Sequence, residues 1–378
     1  MKICIVGPSK RFLSGISYYT IRLANALSSS SEVSVICFRK LLPKFLFPGH
    51  ERVGKDISHL EFSSDVKVFE GMDYNNPLTW YGAYRFLKTT KPEVIILQWW
   101  TSSVSHMHLL IKLMGTLMKS KIIIEFHEVV DPLEESIMPI RLYSRMVGRV
   151  LRKGLNAYVV HSTSDKYLIA ERYNIDIENI HVIPHGLYDH YAPIDNKKAK
   201  EILSIEEDFV ILYFGLIRKY KGITYLIKAF EQLPESIASK SRLLIVGEIW
   251  ENREELIDQI SLSRYRKNIT LIDEYVPDDR IPLYFSAGNV VVLPYLRASQ
   301  SGIAHIAMSF GKPIIVSEVG GLVESMRQYK GAIFVPPGES NAIKRELINC
   351  SRSEKLYNPP ALRWDETSRQ YFRVIELL

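Results

Sequence analysis

Cysteine is scarce in this chain, with three residues among 378, and Cys4, Cys37 and Cys350 lie far apart. An odd number of widely spaced cysteines excludes a disulfide framework and the usual zinc-binding spacings. Long hydrophobic runs are also lacking, since no apolar stretch reaches the roughly 18–20 residues that span a bilayer. No signal-peptide pattern precedes the first apolar run, Lys2–Val6, so we expect a cytoplasmic chain.

The net charge is small and positive, +6. A positive net charge is compatible with an anionic ligand such as a nucleotide diphosphate, or with an anionic membrane surface, and it does not choose between them. We find no nucleic-acid-binding module and expect no nucleic-acid partner. With 47% hydrophobic and 24% charged residues the chain is globular, and its length predicts two domains.

Short apolar runs alternate with longer helical patterns along the whole sequence. This alternation predicts βαβ units and parallel sheets with helices on both faces. A polar stretch within Gly186–Phe209 interrupts the pattern. We therefore predict two Rossmann-like α/β domains, residues 1–190 and 191–363, followed by a helix over 364–378. The predicted strands are Lys2–Val6, Val33–Phe38, Val94–Leu97, Ile122–Phe126, Ala157–His161, His181–Ile183, Phe209–Phe214, Arg242–Val246, Ile269–Ile272, Val290–Leu293 and Pro313–Val316.

Glycine-containing loops follow several of these strands and precede helices. One contains Gly15, another runs from Gly215 to Gly222, and a third is the turn Ser299–Gly302. Free N–H groups at helix N-termini bind phosphate, and arginine and lysine add charge. Ligands of open parallel sheets bind beyond the carboxyl ends of the strands. These loops favour a diphosphate site, with plain turns or solvated loops as the alternative.

Further landmarks are Ile183-Pro184-His185-Gly186, Gly311-Lys312-Pro313 and Val319-Gly320-Gly321-Leu322. With the three loops, they make nearly the whole chain resemble the retaining GT-B glycosyltransferases of family GT4. The resemblance implies two Rossmann-like parallel-sheet domains that face a central cleft. The first would bind the acceptor, the second the nucleotide sugar, and helix 364–378 would cross back to the first.

The resemblance also implies the reaction, a metal-independent hexosyl transfer with retained configuration from a UDP- or GDP-linked donor. The sequence shows no Asp/His set with metal-ligand spacing, and no cofactor is expected, since the nucleotide sugar is a substrate. Arg218 and Lys221 would grip the diphosphate, and His127 would lie near the transferred sugar, unless it is a satisfied strand-end histidine. The donor-binding candidates are Gly15, Gly215, Gly247, Glu248, Tyr275, Val276, Ser299, Gln300, Ser301 and Gly302.

Acceptor candidates are weaker and lie in the first half of the chain. Glu128 and Asp131 follow His127 closely, and Trp99 and Trp100 would either stack on a sugar ring or pack in the core. One feature departs from the family pattern. Many members carry two glutamates eight residues apart where this chain has Ala298 and Ile306, which leaves open how the ribose is held.

A lipid-linked acceptor is suggested by a basic helical run. Arg141, Arg145 and Arg149 recur every four residues, with Arg152 and Lys153 beyond them, and such stripes attract anionic membranes. The apolar loop Leu41–Pro48 would add a second contact, although solvated-face and core interpretations stand beside both. The product would be a cell-surface glycan or glycolipid. A nucleotide-sugar epimerase of the same fold and a non-catalytic nucleotide-binding module are the alternatives.

Overall fold

The structure is a computed structural model that describes residues 1–8, 15–40, 60–129, 138–353 and 355–378. It divides into two compact units. Unit 1 comprises Met1–His185 together with Leu362–Leu378, and unit 2 comprises Gly186–Ala361. The C-terminal helix therefore belongs to the same unit as the first strands.

Unit 1 is built on a seven-stranded sheet. Its strands are β1 (Lys2–Pro8), β2 (Glu32–Lys40), β3 (Lys67–Asp73), β4 (Val94–Trp99), β5 (Lys121–Phe126), β6 (Ala157–Val160) and β7 (Ile180–Val182). They lie in the order β3-β2-β1-β4-β5-β6-β7, and the pairings between them are parallel. The inner strands are buried on both faces, as expected for a sheet that helices cover on both sides.

Helices of unit 1 connect and cover these strands. They are α1 (Gly15–Ser28), α2 (Pro77–Thr90), α3 (Ser105–Leu117), α4 (Met138–Tyr143), α5 (Arg149–Arg152), α6 (Thr163–Tyr173) and the C-terminal α15 (Trp364–Glu376). A single π turn, Ser144–Gly148, joins α4 to α5. Helix α15 packs against α1 through its buried residues Tyr371 and Val374. Its amphipathic pattern explains this docking, because its charged residues stay exposed.

Unit 2 is also built on a parallel sheet, which has six strands. They are β8 (Phe209–Phe214), β9 (Ser241–Val246), β10 (Ile269–Ile272), β11 (Val290–Leu293), β12 (Ile314–Ser317) and β13 (Ala332–Val335). The sheet order is β10-β9-β8-β11-β12-β13, again with parallel pairings. Its helices are α7 (Asn196–Ile202), α8 (Ile223–Glu231), α9 (Glu235–Ala238), α10 (Arg253–Leu262), α11 (Ile281–Ala287), α12 (Gly302–Ser309), α13 (Gly320–Met326) and α14 (Ser340–Cys350).

The two parallel sheets confirm the predicted fold class. Two strands are missing from the prediction, β3 and β13, and both lie at the edge of their sheet. Strand β3 has the sequence KVFEGMD and is half-exposed along most of its length. Strand β13 has only four residues, three of them partly exposed. An edge strand pairs on one side only, so it needs less apolar sequence and gives a weaker signal.

Candidate functional site

The loops of unit 2 that carry the donor candidates lie at one edge of its sheet. Strands β9, β8, β11 and β12 are consecutive neighbours, so the segments that follow them emerge side by side. Two glycines show how tightly these segments pack. A Cβ on Gly222 would lie 2.0 Å from the carbonyl oxygen of Pro294, and one on Gly320 would lie 2.0 Å from that of Ala298. Both have positive φ, so other residues would be strained there.

Arg218 lies in the loop after β8, and its guanidinium stacks on an aromatic ring. The guanidinium carbon is 4.5 Å from the ring centroid of Trp250, and the indole Nε1 of Trp250 donates to Glu248 Oε2 at 2.8 Å. The part of the chain that the structure describes provides no acidic partner for Arg218. An arginine held by stacking rather than by a carboxylate keeps its N–H donors for an anion.

Lys221 lies at the other end of the same loop. Its ammonium nitrogen is 5.0 Å from the ring centroid of Tyr295. It also lies beside Gly215, since a Cβ at that glycine would be 3.7 Å from the Lys221 Nζ and 3.3 Å from Ile303. The structure thereby brings Lys221 and Gly215 to the first turn of α12. That helix end offers free N–H groups to a phosphate.

The turn before α12 contains three of the donor candidates. Ser301 is buried and caps the helix, because its side chain accepts a hydrogen bond from the Ala304 N–H. Ser299 is partly exposed. Gln300 is different, because both polar atoms of its amide are buried and find no hydrogen-bond partner among the described residues. An unpaired buried amide costs about 1–3 kcal/mol, which marks Gln300 as a group that a ligand would satisfy.

The positions that depart from the family pattern flank this turn. Ala298 is partly buried at the approach of Gly320, and Ile306 is 5% exposed within α12. Neither offers a polar side chain, so any contact to a ribose must come from the intervening Ser-Gln-Ser turn or from neighbouring loops.

The nucleoside candidates lie after β9 and β10. Gly247 is buried with φ of 144°, Tyr275 is half-buried and Val276 is 6% exposed. Asp273 ties the two loops together, since its carboxylate accepts from the backbone N–H of Ile249 at 2.9 Å and from Arg253 Nε at 2.9 Å. These loops are therefore fixed next to the Arg218 loop.

Unit 1 contains a second polar group of residues, which we call the Glu125 cluster: Glu125, His127, His161, Tyr371 and Gln98. Glu125 is fully buried on β5, where Tyr371 donates to its Oε1, and Gln98 donates to its Oε2 at 3.1 Å. His127 Nε2 lies 3.5 Å from Glu125 Oε2, and His127 Nδ1 lies 3.3 Å from His161 Nε2. Helix α15 thus reaches the strand that precedes His127.

Electrostatics within the Glu125 cluster follow from its burial. Burial acts to raise the pKa of Glu125, but attraction to His127 and His161, with hydrogen bonds from His127 and Tyr19, outweighs it and lowers the pKa to about 2. Burial and repulsion from His127 lower the pKa of His161 to about 4. Glu125 is therefore ionised and His161 neutral at physiological pH.

The same three titratable residues are of types that bind metals, and their ligand atoms lie within 4.8 Å of one another. The sequence gives no sign of this grouping, because His127 and His161 are 34 positions apart. Hydrogen bonds account for the carboxylate oxygens and for His161, whereas His127 Nε2 has no hydrogen-bond partner among the described residues. His127 turns opposite ring nitrogens to His161 and Glu125, and both carboxylate oxygens already accept hydrogen bonds.

Several expected positions differ from their predicted roles. Trp99 is 1% exposed, so the prediction that it stacks on a sugar is wrong, and the core interpretation holds. Arg152 does not extend the basic stripe, because it is buried with its guanidinium carbon 3.9 Å from the Tyr173 ring centroid. Trp100 and Glu128 are partly exposed and Gly15 begins α1. Asp131 and Leu41–Pro48 lie outside the described residues.

Sequence reasoning missed Trp250, Glu125, Gln98 and Tyr371. Two of them left a signal, because Glu125 and Gln98 are polar residues inside otherwise apolar buried strands. Buried polar side chains are kept where they have partners, and that pattern could have singled them out. Trp250 and Tyr371 left none, since their roles depend on contacts across the fold.

Comparisons with known proteins agree with this architecture. A family model described as "Glycosyltransferase Family 4" matches residues 13–189, and one described as "Glycosyl transferases group 1" matches residues 195–370. Among solved structures, sucrose-phosphate synthase from Thermosynechococcus elongatus superposes with a TM-score of 0.74 at 17% identity, covering 100% of this chain and 98% of that one. Anabaena HepE in complex with UDP-glucose superposes with a TM-score of 0.68 at 17% identity, covering 100% and 97%.

Fold and loops together define the GT-B class of two-domain glycosyltransferase structures. Within that class the chain belongs to the GT4 glycosyltransferase family, as the two matches over most of its length show. A curated relative, D-inositol 3-phosphate glycosyltransferase of Pseudarthrobacter chlorophenolicus, is 24% identical over 284 residues, 72% of this chain and 64% of that protein. The matched part spans about half to two thirds of the curated relatives' length.

Proposed function

We propose that this chain transfers a hexose, with retained configuration, from a UDP- or GDP-linked donor to a glycan or lipid-linked acceptor. Family membership supports the reaction class, and the solved HepE complex shows that a protein of this fold binds UDP-glucose. The loop cluster of unit 2 carries the proposal. Among the described residues, it joins Arg218, a cation without an acidic partner, to Gln300, an amide without a hydrogen bond.

The proposed chemistry needs only groups of the chain and the two substrates. The bond between the anomeric carbon and the diphosphate oxygen breaks while the acceptor oxygen bonds to that carbon from the same face. The acceptor proton passes to a phosphate oxygen of the leaving nucleoside diphosphate. Arg218, Lys221 and the N-terminus of α12 stabilise the charge that develops on that diphosphate, which supports a transfer that needs no metal.

A donor-consumption assay tests the reaction. The chain is incubated with UDP-, GDP- and ADP-sugars, with and without a membrane lipid extract, and the released nucleoside diphosphate is measured. We expect release with one nucleotide class that depends on the extract, and an α-linked product from an α-linked donor. Donor conversion without any acceptor would instead identify an epimerase. Binding without turnover in any mixture would identify a non-catalytic module.

We also propose that unit 1 docks on an anionic membrane through the basic helical segment, Met138–Arg152. Arg141, Arg145 and Arg149 are all exposed there. A second stripe runs beside them, since Met138, Leu142, Met146 and Val150 recur every four residues and are 56–79% exposed. Exposed cations beside exposed apolar side chains are the features of a helix that lies in a membrane interface.

Hydrogen bonds from a neighbouring helix support the C-terminal end of this segment. Lys112 of α3 donates to the carbonyl oxygens of Val150 and Leu151 at 3.0 Å each, which fixes the C-terminal end of α5. Helix α3 adds the exposed side chains of Leu113 and Leu117. Among the described residues, no helix is long and apolar enough to cross a membrane.

Vesicle co-sedimentation tests the membrane proposal. Exchange of Arg141, Arg145 and Arg149 for glutamine should weaken binding to phosphatidylglycerol-containing vesicles on the order of 100-fold at low salt, because each cation contributes about 1 kcal/mol. Met146→Ser should weaken binding less, and Leu262→Ser, at an apolar site on unit 2 that is 85% exposed against 65% for Met146, should not weaken it. The proposal would be contradicted by binding that does not depend on the charge of the lipid, or by binding that the triple exchange leaves unchanged.

A further inference from the structure

Two loops of unit 2 are joined side by side beyond the ends of their strands. Strands β8 and β9 pair in parallel, and an isolated bridge between Ile217 and Ile249 continues the pairing after both strands have ended. The Ile217 N–H donates to the Glu248 carbonyl at 2.9 Å, and the Trp250 N–H donates to the Ile217 carbonyl at 3.0 Å. Backbone hydrogen bonds therefore fix the register of the two loops.

This register places Arg218 opposite Trp250. The backbone of Arg218 is extended, with φ of −133° and ψ of 156°, so its side chain points to the opposite face from Ile217. There the guanidinium carbon lies 4.5 Å from the Trp250 ring centroid. The next residues along are joined as well, because the Lys219 N–H donates to Glu251 Oε2 at 3.0 Å. The stacked pair thus has a hydrogen-bonded contact on each side.

The indole of Trp250 is itself held in place. Its Nε1 donates to Glu248 Oε2 at 2.8 Å, a hydrogen bond to a carboxylate. The N–H of Ile249, between these two residues, donates to Asp273 Oδ1 at 2.9 Å and so ties the loop to the one after β10. A ring that is anchored at its edge and along its backbone gives the guanidinium a fixed surface.

The burial of Trp250 does not fit a role in the core. Its ring is partly exposed. Among the described residues, Ile217 and Ile249 pack in the hydrophobic core of unit 2, and Trp250 does not. Tryptophan stabilises a fold mainly by burying a large apolar ring. A partly exposed tryptophan with a cation over its face is therefore explained by the cation rather than by the core.

We propose that Trp250 is a positioning residue that holds Arg218 in place for the diphosphate of the donor, and that Glu248 orients the indole for this task. A free arginine side chain samples many rotamers, and immobilising it on an anion costs affinity. Stacking fixes the guanidinium before the ligand binds and leaves its N–H groups to the anion. The role in diphosphate binding rests on the proposed function, whereas the order of the Arg218 side chain in the free chain does not.

NMR of the arginine side chains in the full chain tests the positioning without any ligand. The ring current of an indole shields a guanidinium above it, so the Arg218 signals, assigned with Arg218→Ala, should move downfield in Trp250→Leu. Trp250→Phe keeps a ring face and should move them less. Trp80→Leu is the matched control and should leave them in place. Trp80 is also partly exposed, and its indole N–H donates to the Asp73 carbonyl at 2.7 Å.

A double-mutant cycle tests whether Trp250 acts through Arg218. The affinities for UDP and GDP are measured in the wild type, Trp250→Leu, Arg218→Ala and the double variant, by titrations that reach weak affinities. Trp250→Leu should weaken binding of the preferred diphosphate roughly 10-fold, and Trp250→Phe should weaken it less. In the Arg218→Ala background Trp250→Leu should have no further effect, because the group that it positions is gone.

Uridine and guanosine separate positioning from direct contact with the base. They lack the diphosphate, so Trp250→Leu should bind the matching nucleoside as the wild type does when it competes with the diphosphate. Glu248→Ala should weaken diphosphate binding less than Trp250→Leu, because the indole loses its anchor but keeps its ring. It should also leave nucleoside affinity unchanged.

Three results would overturn the proposal. One is a set of Arg218 signals that Trp250→Leu leaves unchanged, which is decisive whether or not a nucleotide binds. Another is an equal loss of diphosphate affinity with and without Arg218, which would make the role of Trp250 structural. The third is an equal loss of nucleoside and diphosphate affinity in Trp250→Leu, because the ring would then contact the base. A wild type that binds neither UDP nor GDP would contradict the proposed function instead, and the Arg218 signals would still decide the positioning.

Discussion

The polar residues of the two units differ in how fully they are satisfied. In unit 1 both oxygens of the Glu125 carboxylate accept hydrogen bonds, from Tyr371 and Gln98, and among the described residues of the cluster only His127 Nε2 is left without a hydrogen-bond partner. In unit 2 the Arg218 guanidinium, in the loop after β8, stacks on Trp250, and the Gln300 amide, in the loop after β11, has no hydrogen-bond partner among the residues that the structure describes. Both groups lie at the carboxyl ends of parallel strands.

This difference separates two uses of buried polarity. A closed cluster fixes protons and orientation within the protein, and a ligand would have to break it in order to bind. An unsatisfied set carries a free-energy cost that a ligand removes. The same edge of a Rossmann-like sheet can therefore hold both kinds of buried polar group.

The largest effect is expected at Arg218. Arg218→Ala should lower turnover of the preferred sugar nucleotide on the order of 10²–10³-fold, because it removes a preorganised donor to the leaving diphosphate. Arg264→Ala is the matched control, since that arginine also stacks on an aromatic ring, with its guanidinium carbon 4.6 Å from the Tyr265 centroid. Equal losses in the two variants would mean that stacking, not diphosphate binding, is what Arg218 provides.

The Glu125 cluster should make the free energy of unfolding depend on pH in the acid range. The pKa of His161 is lowered from 6.5 to about 4 by burial, so the unfolded chain takes up this proton first as pH falls. The free energy of unfolding should decrease between pH 6.5 and about 4, by roughly 3 kcal/mol from this residue. Buried His108, with its pKa lowered to about 3, adds in the same direction.

Urea unfolding at pH 7 and pH 4 measures this dependence. His161→Asn should flatten it, because the substitution removes the group that takes up the proton. An unchanged pH dependence in His161→Asn would show that burial does not lower the pKa of His161 in the folded chain.

Gln300→Ala should give the smallest effect, and it should change stability and nucleotide binding in opposite directions. Gln300→Ala removes an unpaired buried amide, so the free chain should lose no stability or gain about 1 kcal/mol, while nucleotide binding weakens roughly 10-fold. Gln259→Ala removes an amide that donates to the Thr224 carbonyl at 3.2 Å, and it should lower stability without affecting binding. Melting curves with and without nucleotide separate the two outcomes.

The sequence predicts local features better than distant contacts. Arg218, Lys221 and the Ser299–Gly302 turn are recognisable because strand, glycine loop and helix follow one another directly. Most strands are recognisable because both of their faces are apolar. The contact between Tyr371 and Glu125 joins residues 246 positions apart, and no local pattern encodes it.

Two misjudged side chains illustrate the same limit. The sequence favours exposed positions for Trp99 and Arg152, where they would contact a sugar or a membrane. The structure buries both side chains and places the Arg152 guanidinium carbon 5.5 Å from the Trp99 ring centroid. A cation over an aromatic ring can be buried where a lone cation cannot. The sequence shows each residue but not the pairing.

The central claim is that the loop cluster of unit 2 binds the nucleotide of a sugar donor, and a thermal-shift titration with UDP, GDP and ADP tests it most directly. At a concentration of about 100 times its Kd, one nucleotide class should raise the temperature at which unit 2, Gly186–Ala361, unfolds by roughly 5–10 °C. It should leave Arg218→Ala unchanged and stabilise Arg264→Ala like the wild type. If no nucleotide raises the wild-type melting temperature, or if Arg218→Ala responds fully, the account of this site is wrong.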